Sequence, residues 1–307
     1  MDAAGAVARD GGELMIARWA RFVAGSYPPL PSVLFAVAWA YGVTGLFAAV
    51  DPRAPHWRPD AGTAVAALTL AINLLLMRAL DDIRDLDYDR RLSPDRPLAA
   101  GAVRTGDLLV LYAAGATALL LLNVGTPAAM GILASQLGYG VLVVAVHQRL
   151  RWPSGDNLVL SLLVSFPAQL LLHLYLYAGY LHGTGLGPSR DALPAIGIVV
   201  LASVHLELAK KITRAPQPGE RTYVNVFGLA GTTTAALVAP VISAVLLLVL
   251  AERAGGAWAL LAVVPLALPF TAGWRFVRSA SPRWPTASPA LYLLLTFAGY
   301  FVLGLRP

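Results

Sequence analysis

The chain has 307 residues, 57% of them hydrophobic and 13% charged, with a formal net charge of +6 and a mean hydropathy of +0.66. A soluble domain carries roughly a quarter charged residues, so the composition excludes an ordinary soluble enzyme and describes a polytopic membrane protein. The absence of cysteine removes disulfides, thiolate catalysis and cysteine-ligated metals.

Residues 1–29 mix Arg9, Asp10, Glu13, Arg18 and Arg21 and lack a continuous apolar core ending in small residues, so no cleaved signal peptide is expected. Residues 1–27 read as a cytosolic amino-terminal segment. Apolar runs of about twenty residues, each enough to cross roughly 30 Å of hydrocarbon, follow near 28–50, 61–80, 106–124, 126–146, 157–180, 192–210, 226–250, 257–274 and 287–305. The fold class is therefore all-α, a membrane bundle of about nine helices. Only Asn123-Val124-Gly125-Thr126-Pro127 separates the third and fourth spans, which predicts a tight hairpin.

Nine spans place the two termini on opposite sides. With the amino terminus inside, 18 of the 23 basic residues fall on the cytosolic side, and Arg53, Arg58, Arg190, Arg253 and Arg306 on the other. The reading is a single integral-membrane domain over 1–307. A weak echo divides it into two similar halves, about 61–180 and 192–305, because the second and sixth spans both end in a polar segment followed by Pro and Arg, with Asp81 and Glu207 in comparable places.

Five carboxylates fall in Asp81-Asp82-Ile83-Arg84-Asp85-Leu86-Asp87-Tyr88-Asp89, at the end of the second span. If the helix continues, Asp81, Asp85 and Asp89 recur at i, i+4 and i+8 and stack on one face. Like charges so placed repel unless cations neutralise them, and hard carboxylate oxygens suit Mg²⁺ that also holds a phosphate. The bland alternative is a solvated acidic helix end. Arg78 lies four residues before Asp82, and Asp81 four before Asp85, so ion pairs can interleave with metal ligands. Arg84, Arg90, Arg91 and Arg96 are either diphosphate-binding groups or membrane-surface anchors. Asn73, inside the span, reads as an interhelical hydrogen-bonding residue.

A second polar segment, His205-Leu206-Glu207-Leu208-Ala209-Lys210-Lys211-Ile212-Thr213-Arg214, ends the sixth span and runs into Pro216, Pro218, Gly219, Glu220, Arg221, Thr222 and Tyr223. An acid such as Glu207 at the end of an apolar span costs energy unless paired or metal-bound. Lys210 and Lys211 are the only lysines in the chain and read either as phosphate-facing ammonium groups or as ordinary anchors. His205 reads as a packing residue. The loop after the fourth span adds Arg149, Arg151, Trp152, Asp156 and Asn157, and Gln136, Tyr139, Gln169, His173, Tyr175 and Tyr177 are intramembrane polar groups that either line a pocket or anchor at the interface.

The segment Asp81-Asp82-x-x-Asp85-x-x-x-Asp89, followed by Pro94-Asp95-Arg96-Pro97-Leu98 and Gly101, resembles the first aspartate motif of the UbiA superfamily of intramembrane prenyltransferases, with Asp81 in place of the usual leading Asn. The second motif departs from that family. Only Glu207 matches one of its acids, Lys210, Lys211 and Arg214 follow, and Gly219-Glu220-Arg221-Thr222 is a recognisable tail.

The resemblance implies a central cavity open to lipid and capped at the cytosol, in the plasma (inner) membrane. It implies Mg²⁺ held by Asp81, Asp85, Asp89 and Glu207, a catalytic group of Asp81, Asp82, Asp85, Asp89, Glu207 and Lys211, and diphosphate binding by Arg78, Arg96, Arg149, Lys210 and Arg214. The expected reaction is ionisation of an isoprenyl diphosphate donor and transfer of the allylic cation to an aromatic or lipid acceptor. A UbiA-type terpene cyclase, needing no acceptor, is the runner-up because of the altered second motif. An ion or phosphate transporter fits less well, since transport sites lie near the bilayer midplane and these acids sit at one surface. No nucleic-acid partner is expected.

Overall fold

The structure is a computed structural model that describes residues 3–54, 57–153, 157–252 and 258–305. Among the described residues all regular secondary structure is helical, apart from one isolated bridge between Thr213 and Arg283. In chain order the helices are α1 (Ala3–Ser26), α2 (Pro29–Val50), α3 (Ala61–Arg84), α4 (Leu86–Leu92), α5 (Thr105–Leu122), α6 (Pro127–Leu150), α7 (Leu158–Thr184), α8 (Ala192–Ala209), α9 (Val224–Glu252), α10 (Trp258–Val263), α11 (Ala267–Arg278) and α12 (Ala287–Gly304).

Eight of these, α2, α3 and α5 to α9 together with α12, are long and apolar enough to cross a membrane. The protein is a multi-pass membrane protein. The span expected near 257–274 is not one helix. A 3₁₀ turn over Val264–Leu266 separates α10 from α11, and Pro265 and Pro269 explain the break, because each removes a donor from the helical ladder and crowds the preceding turn. Residues 1–27, expected only as a cytosolic segment, contain the regular helix α1.

Local chemistry sets the ends of the spans. Asp60 caps α3 by accepting from the Thr63 amide at 2.8 Å while the Thr63 hydroxyl faces the Asp60 amide, which satisfies two otherwise unpaired donors. Pro127 opens α6 at its first turn, where the missing N–H costs nothing. The hairpin between α5 and α6 forms where expected. Asn123 locks it by donating to Thr69 Oγ1 at 2.9 Å and accepting from the Tyr175 hydroxyl at 2.8 Å. Asn73 donates to Gln136 Oε1 at 2.7 Å, the interhelical role read from the sequence. His205 packs edge-on against Tyr292 and bonds the Ala236 carbonyl through Nδ1 at 2.7 Å.

The tightest helix pair is α2 with α12. A Cβ on Gly45 would sit 2.8 Å from Phe301 Cα, and one on Gly304 would sit 2.5 Å from the Gly45 carbonyl oxygen. Bare backbones therefore meet, which is how helices gain dispersion contact in a solvent as apolar as their own side chains. α2, α3, α5, α6, α7, α8 and α12 share one buried core, while the ends of α8, α9 and α11 build a smaller one around Tyr223, Phe276 and Trp284.

Candidate active site

The ends of α3, α6, α7 and α8, together with α4 and the 217–223 segment, surround a cavity of about 1000 Å³ that also touches α2 and α12. Asp81, Asp82, Asp85 and Asp89 line it from one side, and Glu207, Lys210, Lys211, Glu220 and Arg221 from the other. The wall changes character with depth. Leu74, seven residues or about 10 Å before Asp81 along α3, lines the same space as Phe35, Trp39 and Phe297. Phe35 lies 5.8 Å from Trp39 and 5.9 Å from Phe297, ring centre to ring centre.

The acidic face is not a continuous helix. α3 ends at Arg84, Asp85 has φ −96° and ψ 12°, and α4 begins at Leu86. Two backbone bonds hold the junction, from the Asp85 amide to the Asp81 carbonyl and from the Asp89 amide to the Asp85 carbonyl, both at 2.8 Å. The bend sorts the acids into two pairs instead of one stack of three. Arg84 Nη2 lies 3.0 Å from Asp81 Oδ1 and 3.2 Å from Asp85 Oδ2. Arg96 Nη1 lies 2.6 Å from Asp89 Oδ2 and 3.8 Å from Asp82 Oδ1. Arg78 also pairs with Asp82 Oδ1, at 2.9 Å.

Asp82 and Asp89 are only 1% and 3% exposed. Burying a carboxylate is costly unless it is paired and hydrogen-bonded, so these two are the most tightly committed acids. Asp81, by contrast, keeps half of its side chain accessible. At Asp85, burial pushes the carboxyl up, but Arg84 and Arg221 together bring it below the ordinary carboxylate range.

Opposite, Glu207 is held by Lys210, by Lys211 at 3.4 Å, and by the Tyr223 hydroxyl, which donates to Oε1 at 3.1 Å. Burial lowers the Lys211 ammonium below the ordinary lysine range, against the pull of Glu207 and a smaller one from Asp85. The two sides are tied by Arg221, whose Nη1 donates to Asp85 Oδ1 at 2.9 Å and whose guanidinium stacks 4.2 Å over the Tyr88 ring. Arg283 closes the rim through Glu220 at 2.8 Å.

Among the described residues, no three acids converge as a ready metal cage. The donor set nonetheless suits Mg²⁺, which takes one or two carboxylates and completes its shell with water and phosphate oxygens. Asp81 and Asp85 satisfy that demand best, because one guanidinium nitrogen already sits between them as a cation. Asp89, turned toward Arg96, and Glu207, taken up by two lysines, lie in other ion pairs, so the geometry differs from the expected four-acid ligand set.

Other expected residues lie elsewhere. Arg214 donates to the Phe276 carbonyl at 2.6 Å and stacks on the Phe276 ring, so it clamps the turn after α11 and does not line the cavity. Arg149 is exposed at the end of α6, outside the cavity wall. Arg90, Arg91 and Arg151 engage Asp87 on the outer face of α4. Asp156, Arg253 and Arg306 lie outside the described residues. Of the intramembrane polar groups, Tyr139 and Gln169 line the cavity, while Gln136 and Tyr175 serve bonds between helices, Tyr177 accepts from the Ser189 amide in the loop after α7, and His173 packs edge-on against Trp39.

No family model matches the sequence, and no curated protein matches it either. The structure is similar to the apo structure of a UbiA homolog from Aeropyrum pernix K1, with a TM-score of 0.57 and 18% sequence identity over 89% of this chain and 95% of that one. The chain has the UbiA fold. The sequence reading named Tyr88 within the acidic run and Arg221 and Tyr223 at the end of the second polar segment but gave none of the three a role. The Gly219-Glu220-Arg221-Thr222 tail marked the region of Arg221 and Tyr223, but nothing in the local spacing showed that Arg221 reaches Asp85.

Proposed function

We propose that the protein is a UbiA-superfamily prenyltransferase of the plasma (inner) membrane, with its amino terminus and polar mouth in the cytosol. It ionises an isoprenyl diphosphate and transfers the allylic group to an aromatic or lipid acceptor. The observation that carries this reading is the single cavity in which a dense acid–arginine cluster opens onto an aromatic, apolar wall. A molecule that fits both regions has a charged head and a hydrocarbon tail.

Arg78, Arg84, Arg96, Arg221, Lys210 and Lys211 would bind the oxygens of the diphosphate, the arginines by paired N–H groups and the lysines as point charges. Asp81 and Asp85 would hold Mg²⁺, which when bound supplies positive charge to the leaving group. As the allylic carbon–oxygen bond breaks, its electron pair leaves with the diphosphate. Preorganised cations stabilise that charge without reorganising water. The apolar wall keeps water from the carbocation, and the faces of Trp39, Phe297 and Tyr139 offer it cation–π contact. The acceptor's nucleophilic atom then supplies the electron pair for the new bond and loses its proton.

Purified protein incubated with C10, C15 and C20 prenyl diphosphates, Mg²⁺ and candidate acceptors should release diphosphate and form a prenylated product. A cyclic hydrocarbon or terpene alcohol formed without acceptor would replace transfer by cyclisation, and the absence of diphosphate release with every donor would end the proposal.

A further inference from the structure

The amino-terminal helix α1 does not line the cavity itself but packs against α5 and the loop behind the acidic end of α3. Phe22 is fully buried, Trp19 Nε1 donates to the Asp107 carbonyl at 2.8 Å, and Arg18 pairs with the Asp107 carboxylate at 3.1 Å. Just past the helix, the Tyr27 hydroxyl donates to the Ala71 carbonyl at 2.7 Å. At Gly25 the helix meets the 93–103 loop so closely that a Cβ there would sit 2.5 Å from Pro97 Cγ. Pro97 follows Arg96, so the loop that α1 presses on is the one that carries a cavity-lining cation.

The seat places one hydroxyl inside the acidic cluster. Ser26 Oγ donates to Asp82 Oδ2 at 2.9 Å. The other oxygen, Oδ1, faces Arg78 at 2.9 Å and Arg96 at 3.8 Å. A carboxylate with both oxygens committed in this way has one orientation, and each guanidinium that packs on it inherits that orientation.

We propose that Ser26 is a positioning residue: from the end of α1 it fixes Asp82, and through Asp82 it aims Arg78 and Arg96 at the diphosphate of the substrate. The argument rests on the reading of the cavity mouth as a diphosphate site. It makes α1 part of the binding apparatus, where the sequence alone offered only an amino-terminal extension.

The test uses full-length protein in detergent, with inorganic pyrophosphate at fixed Mg²⁺ as the probe and ligand-induced thermal stabilisation as the readout. A hydrogen bond to a charged group is worth enough to change an equilibrium roughly tenfold. Ser26→Ala should therefore raise the half-saturating pyrophosphate concentration about tenfold, and Ser26→Thr, which keeps the hydroxyl, should restore the wild-type value. A purely structural serine would lower the melting temperature of the unliganded protein and leave half-saturation where it was, and that result overturns the proposal. Equal half-saturation for wild type and Ser26→Ala overturns it too, as does a wild type that pyrophosphate and Mg²⁺ do not stabilise. A wild type that is stabilised but turns over no prenyl donor retires the catalytic reading and leaves the role of Ser26 to be decided by the variants.

Discussion

Arg221 reaches Asp85 at 2.9 Å across 136 positions of sequence, and its guanidinium also stacks over the ring of Tyr88. The contact joins the end of α3 to the segment before α9, and it is mostly shielded, with the two side chains 18% and 23% exposed. A double-mutant cycle of Arg221→Gln with Asp85→Asn, read by unfolding in mixed micelles, should give a coupling of roughly 1 kcal/mol. Additive single effects would show that the two side chains do not depend on each other.

Asp85 occupies the bend between α3 and α4 and touches two guanidinium groups. Asp85→Ala should slow diphosphate release at least a hundredfold, a loss of the size seen when charge-stabilising groups are removed. Expression and detergent behaviour should stay close to wild type. The comparison is diphosphate release by the two proteins at equal concentration.

Removing divalent metal is the matching ligand experiment. Chelation with EDTA should abolish diphosphate release, and Mg²⁺ should restore it, because the acids of the mouth offer hard oxygen donors and no cysteine is present. Activity that survives thorough chelation would mean that arginines and lysines alone neutralise the leaving group.

Lys211 gives the site a pH limit. Burial holds its ammonium below the ordinary lysine range, so the charge is present at low pH and is lost at a lower pH than for an exposed lysine. Pyrophosphate affinity should fall as the pH is raised through that titration. Lys211→Arg keeps its charge and should extend binding to higher pH; parallel profiles for the two proteins would mean that another group sets the limit.

Gly304 faces the backbone of Gly45, with no room for a Cβ. Gly304→Val should destabilise the protein by about 1–3 kcal/mol or more, since side-chain volume must force two backbones apart. Thermal unfolding in detergent checks it, and an unchanged midpoint would show that α2 and α12 slide freely.

The spans were legible because twenty apolar residues leave few alternatives in a membrane. Asn73 and His205 also read correctly, since a polar group inside a bundle must find a partner. What stayed hidden has identifiable causes. The break in the 257–274 span depends on two prolines that a hydropathy window averages away. The break at Asp85 lies in its backbone angles, which an i, i+4 spacing of acids does not contain. Arg214 carries the same charge as its cavity-lining neighbours, but the Thr213–Arg283 bridge turns it toward the carbonyls after α11. Ser26 was invisible because a single serine in a mixed amphipathic stretch has no signature of its own.

Six carboxylates and seven cationic side chains share the wall of the cavity. The vestibule is thus close to electroneutral before anything enters. A lone phosphate must compete with carboxylates for its arginines, and a lone divalent ion must compete with arginines for its carboxylates. On the proposed reading, a complex that brings both signs at once would let every displaced group find a new counterpart, and the entrance would discriminate against each half-ligand by the partner it lacks.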